Sequence, residues 1–176
     1  DMHSDIKLGI NYSIIDDPII LARALEIINT YSRENIIDTF QTDTLGISNI
    51  TVIEVTVKLS NHGNNTVYLV TNAFCHTLCN RGWRMEPPLW VVREPAADIK
   101  FQTSQGSILS IPVLCTRDLK LKPLPPKTTL INKFYYIATT PFNATIIAET
   151  PICTKPSNNK DFCSIINESI HIETMK

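Results

Sequence analysis

Between Pro123 and Cys153 the chain reads PLPPKTTLINKFYYIATTPFNATIIAETPIC, and no other stretch narrows the choice of folds as much. Prolines at 123, 125 and 126 fix φ and remove backbone donors, so they suit the approach to a sheet and exclude a central strand there. From Lys133 to Thr140 the residues are almost all aromatic, β-branched or small. In an extended backbone they place Phe134, Tyr136 and Ala138 on one face and Tyr135, Ile137 and Thr139 on the other. Both faces are apolar enough to be partly covered. Pro141-Phe142-Asn143 then reads as a turn and Thr145–Ala148 as the partner strand of a hairpin, with the Asn143-Ala144-Thr145 sequon at its exposed corner. The expected fold is mainly β, an antiparallel β-sandwich.

Other segments fit two antiparallel layers. Thr51–Leu59 alternates Ile53, Val55, Val57 and Leu59 with Glu54, Thr56 and Lys58, which marks a half-buried strand. SNHGNN, residues 60–65, is a run of turn formers, after which Thr66–Phe74 is expected to return and complete a hairpin. Ile99–Gln102 and Ser107–Cys115 read as further strands, the second placed at an edge or bulge by Pro112. Thr116–Lys122 reads as a solvated connection, and Ile165–Ile172 as a last strand.

The N-terminal region, about residues 1–45, is expected to be a helical arm on a single domain spanning 1–176. A loose apolar alternation from Ile6 to Ile15 suggests an edge strand. Asp17 before Pro18 then marks a helix start, because the carboxylate caps the first free amides and proline needs no amide partner in the first turn. Leu21, Ala24, Leu25, Ile28 and Tyr31 recur at helical spacing, and the helix should end near Ser32-Arg33. Its apolar stripe is expected to cover an open end of the sandwich.

Charged residues make up 19% of the chain with a net charge of -1, which argues against a nucleic-acid or anionic-membrane footprint. No apolar run approaches the roughly 20 residues of a membrane span, so direct membrane insertion of this segment is not expected. The lack of a basic, apolar leader is expected of a processed chain, and an anchor beyond Lys176 is compatible with it. Sequons at Asn11, Asn49, Asn64, Asn143 and Asn167, together with five cysteines, point to an oxidising, extracellular setting, secreted or as an ectodomain. Of Cys75, Cys79, Cys115, Cys153 and Cys163, the last two flank the polar loop KPSNNKD and are the expected pair. Four cysteines make two bridges and leave one thiol, free or available for another chain.

Cys75-His76-Thr77-Leu78-Cys79 offers zinc-type donors, but no second close pair completes a site, and disulfide use is the reading preferred. Arg81–Arg93, RGWRMEPPLWVVR, gathers both tryptophans with arginines, Met85 and two stiffening prolines. Residues of these types dominate binding hot spots, so Arg81, Trp83, Arg84, Met85 and Trp90 form the expected contact surface for a protein partner. The competing assignment puts Trp90, with Leu89, Val91 and Val92, in a buried strand. Nucleophile elbows, phosphate-cradling glycine loops and H-E-x-x-H helices are missing from the sequence, so neither catalysis nor a cofactor is expected.

Leu124, Pro126, Thr128, Phe134, Tyr136, Glu149 and Pro151 give the segment Leu124–Thr154 a pattern that resembles the end of a fibronectin type III domain. It is also similar to the membrane-proximal part of uroplakin-type ectodomains. Leu130 stands where that family carries a tyrosine. The resemblance implies an immunoglobulin/fibronectin III-like sandwich in an extracellular protein. Abundant Ile, Asn and Lys with little Gly is also the composition of proteins from AT-rich genomes, large DNA viruses and parasites among them. The expected function is recognition of another extracellular or cell-surface protein, including an immune decoy. The alternatives are an ectodomain assembling with a membrane partner, and a carrier holding a lipid or other small molecule between helix and sheet.

Overall fold

A computed structural model describes residues 5–33, 50–72, 75–77, 96–108, 113–115, 119–157 and 160–174. Its elements in chain order are β1 (Ile6–Ile15), α1 (Pro18–Arg33), β2 (Ile50–Asn61), β3 (Val67–Asn72), β4 (Cys75–Thr77) and β5 (Asp98–Gln105). Then come β6 (Val113–Cys115), β7 (Leu119–Leu124), β8 (Thr128–Thr139), β9 (Phe142–Cys153), a 3-10 turn at Lys160–Phe162 and β10 (Cys163–Thr174).

Two antiparallel layers form the body. The first is β1-β2-β8; the second runs β10-β9-β3-β7, with β5 also paired to β9. Strand β9 is the hub of the second layer. One edge pairs along its whole length with β10, while the other is shared, its first part taken by β5 and its end by β3. The fold is thus the expected antiparallel β-sandwich with one N-terminal helix, and β1 is an integral strand of the first layer.

Alternation decides which residues meet between the layers. Ile53, Val55, Val57 and Leu59 of β2 and Ala144, Ile146 and Ala148 of β9 are fully or almost fully buried in one core with Leu69, Phe142 and Ile172. Each buried branched side chain contributes about 1.5–3 kcal/mol relative to exposure. Phe134 and Tyr136 join this core from β8.

Two reversals read as hairpin turns are crossings between layers. Strands β2 and β3 lie in different sheets, as do β8 and β9. Pro141-Phe142-Asn143 is no exposed turn, because Phe142 opens β9 and is fully buried. The chain passes through a cis Thr140-Pro141 peptide just before it. The long-range partner of β2 on one side is β8, from Ile50↔Thr139 to Asn61↔Thr128, and on the other β1. A true hairpin does join β9 to β10, and its ends are bridged by Cys153–Cys163, Cα atoms 4.0 Å apart. That pairing is the one expected from the sequence.

Two further corrections concern the periphery. Asp17 Oδ1 accepts the Ile19 amide at 2.9 Å, as a capping residue should, and α1 ends at Arg33. The helix nevertheless covers the outer face of the first sheet and not an open end. It packs on β2, where Val52 and its register partner Ile137 on β8 point away from the core yet are fully buried, like Ala24 and Ile28. Leu119–Leu124, expected in part as connection, is strand β7 on β3. Pro123 is tolerated there because β7 is the last strand of the order on that side.

Candidate functional site

A half-open concavity lies at one end of the sandwich, where β2 leaves the first layer. It encloses about 570 Å³ and is lined by Asp5, Asn61, Gly63, Thr66, Tyr68 and Thr154 among others. The Asn61 side chain builds it. Buried at the end of β2, it donates from Nδ2 to the carbonyls of Asn65 (2.8 Å) and Leu124 (3.0 Å) and accepts the Gly63 amide on Oδ1 (3.0 Å). With donors and acceptor committed, Asn61 is a structural pin and has little left to offer a ligand. His62 donates its amide to the Asp5 carbonyl (2.7 Å), which ties the turn to the chain entering β1.

The opposite wall is the β9–β10 loop. Thr154 donates its amide to the Phe162 carbonyl (2.8 Å), and the Lys155 ammonium sits 4.5 Å from the centre of the Phe162 ring. The disulfide and these contacts hold the loop beside the recess. Chemically the lining is mixed: one carboxylate, hydroxyls and the Tyr68 phenol stand beside Ile6, Val67 and Pro156. Asn64 is exposed and lies in sequence between Gly63 and Asn65, which both line the recess. Between helix and sheet Ala24, Ile28, Val52 and Ile137 are fully buried.

The other sequons separate by setting. Asn11 on β1 and Asn167 on β10 are exposed. Asn143, expected at an exposed corner, is half-buried within β9, and its Oδ1 accepts the Ser104 hydroxyl at 3.1 Å. Asn143 and Asn167 both face outward from the second layer by the alternation of β9 and β10. Between them Lys100 and Glu149 pair at 2.9 Å, and this hydrogen bond, then the charge attraction, raises the Lys100 pKa. On the outer face of the first layer Lys133 approaches Glu54 at 3.6 Å. Beside it desolvation, followed by Glu54, raises the Tyr135 pKa.

The expected contact residues Arg81, Trp83, Arg84, Met85 and Trp90, together with Asn49 and Cys79, lie outside the described residues. Cys75 and Cys115 are described in backbone and are register partners on β4 and β6. Sequence reasoning missed the Asn61 pin. The only hint was its place in SNHGNN, where asparagine reads first as a turn former.

No family model matches the chain. No curated protein matches it either. One solved chain, described as a Northeast Structural Genomics Consortium target, is 10% identical over 99% of this chain and 90% of that one, with a TM-score of 0.48. A likeness of that size assigns neither family nor function. No described helix is long and apolar enough to cross a membrane.

Proposed function

We propose that the chain is a non-enzymatic extracellular glycoprotein domain that recognises another protein through loops held by a rigid sandwich. The observation that carries the reading is the Cys153–Cys163 bridge between register partners, a covalent tie that forms and persists in oxidising compartments. Exposed sequon asparagines at 11, 64 and 167 support the same setting. The immunoglobulin/fibronectin III-like kinship, with the uroplakin-type likeness, belongs to this proposal and is supported by strand order. Apart from β5, the layers β1-β2-β8 and β10-β9-β3-β7 follow the A-B-E and G-F-C-C′ sequence of such sandwiches, and the β2–β3 and β8–β9 crossings fall where B passes to C and E to F. In this reading residues 73–118 are an enlarged C–C′ connection, and it carries the Trp-Arg segment 81–93. Loops on a sandwich are where recognition concentrates.

The test is capture from a panel of cell-surface and secreted host proteins, using the glycosylated chain made in a eukaryotic secretory pathway. Replacing Trp83 and Arg84 together by alanine should abolish capture while leaving thermal unfolding unchanged. Loss of stability in that double variant would instead assign Trp83 to the core. A chain that captures nothing, with bare asparagines, would remove the proposal.

A further inference from the structure

The two arms flanking residues 73–118 continue toward each other beyond the main sheet. Strand β3 pairs with β7 up to Asn72↔Leu119, and the same two runs of chain pair again as β4 and β6, with Cys75↔Cys115, His76↔Leu114 and Thr77↔Val113. From Asn72 to Cys75 is three residues and from Leu119 back to Cys115 is four, so the second ladder is offset by one relative to the first. A ribbon of three residues a side is marginal by itself. In sequence the two strands bracket residues 78–112, among them β5, which returns to the second layer and pairs with β9.

Cys75 and Cys115 are direct partners in this second ladder. Directly opposed antiparallel residues have Cα atoms about 4.5 Å apart in a non-hydrogen-bonded pair and about 5.5 Å in a hydrogen-bonded one. Both values lie inside the roughly 4.4–6.8 Å window of a disulfide. We infer that Cys75 and Cys115 form the second disulfide of the chain, a clamp that joins β4 to β6. Cys79 is then, by count, the one cysteine of five left without an intramolecular partner. In the reaction the two thiols lose two protons and two electrons. The electrons pass by thiol–disulfide exchange to an oxidised dithiol oxidoreductase or to oxidised glutathione, whose disulfide becomes two thiols. The assignment does not rest on the proposed recognition function, because it follows from register alone.

The test uses the full chain from a eukaryotic secretory pathway, alkylated unreduced in denaturant and cut by chymotrypsin, which separates Cys75 from Cys79 after Leu78. Mass spectrometry should find the Cys75 peptide linked to the Cys115 peptide, with Cys79 alkylated or carrying a separate thiol adduct. Cys79→Ser should leave no alkylatable thiol per chain, and Cys115→Ser should add an alkylated Cys75. Circular dichroism of both variants confirms that the strands persist. Linkage of Cys79 to Cys115 or to Cys75, or two alkylated thiols per chain in Cys79→Ser, overturns the assignment.

Discussion

Of the chain's three passages between layers, two, from β2 to β3 and from β8 to β9, are built from opposite materials. At the first, from β2 to β3, one buried polar side chain does the holding. Asn61 gathers two carbonyls and an amide, and its own carbonyl accepts the Lys127 amide at 2.8 Å. At the second, from β8 to β9, the corner is apolar and steric. Phe142 is fully buried with its ring 6.3 Å from that of Phe101, which in turn meets Tyr136 edge-on at 4.8 Å. Gly106, at φ 80°, fits against the Pro141 carbonyl, and Thr140 Oγ1 is buried there without a partner. A chain can therefore leave a sheet on satisfied hydrogen bonds or on packing, and the two devices should fail differently.

Phe142→Ala should give the largest effect. Removing a fully buried ring costs about 3–5 kcal/mol, read as a fall in the denaturant midpoint. Asn61→Ala should follow at about 2–4 kcal/mol, since it strands two carbonyls and an amide. Asn61→Asp sharpens the contrast, because it keeps the acceptor for Gly63 and still loses both donated bonds, so it should rescue little. If Asn61→Ala is neutral, the first crossing is held by packing after all.

The glycines of the two crossings should also separate. At Gly106 an added Cβ would lie 2.5 Å from the Pro141 carbonyl oxygen in a left-handed conformation, so Gly106→Ala should cost about 1–3 kcal/mol. At Gly63 the added carbon would meet Asp5, with Oδ2 3.0 Å and Cβ 3.1 Å away; the carboxylate can turn aside, but Cβ moves only with the backbone. With no left-handed strain to add, Gly63→Ala should cost less than Gly106→Ala, about 1 kcal/mol in thermal or chemical unfolding.

A comparably small effect is alkaline. Burial, and secondarily the Asp98 charge, raises the Tyr136 pKa above its usual value near 10. Below that value both folded and unfolded chains keep the proton and nothing is lost. Above it the unfolded chain releases the proton first, so stability falls with rising pH, by about 1 kcal/mol at about pH 11. Tyr136→Phe should flatten that part of the profile. An unchanged slope would place its origin in another group.

Strand identity was largely legible. The Ile53–Leu59 alternation, the Asp17-Pro18 helix start and the last strand around Ile165–Ile172 are all where the pattern puts them. What misled was the reversal itself. SNHGNN and Pro141-Phe142-Asn143 carry genuine turn chemistry, yet turn residues report that a chain bends and not which layer receives it. The recess at the first crossing was illegible for a related reason: its walls come from Asp5, Asn61 and Thr154, brought together only when β1, β2 and the β9–β10 loop converge.

Period, capping and cysteine spacing are local quantities, so residues alone determined the β character, the helix and the bridge across the last loop. Layer assignment, the helix seat on the outer face and the alignment of Cys75 with Cys115 depend on pairing over tens of residues. Such pairing is chosen by which apolar faces can be buried together, a balance struck only in the assembled sandwich.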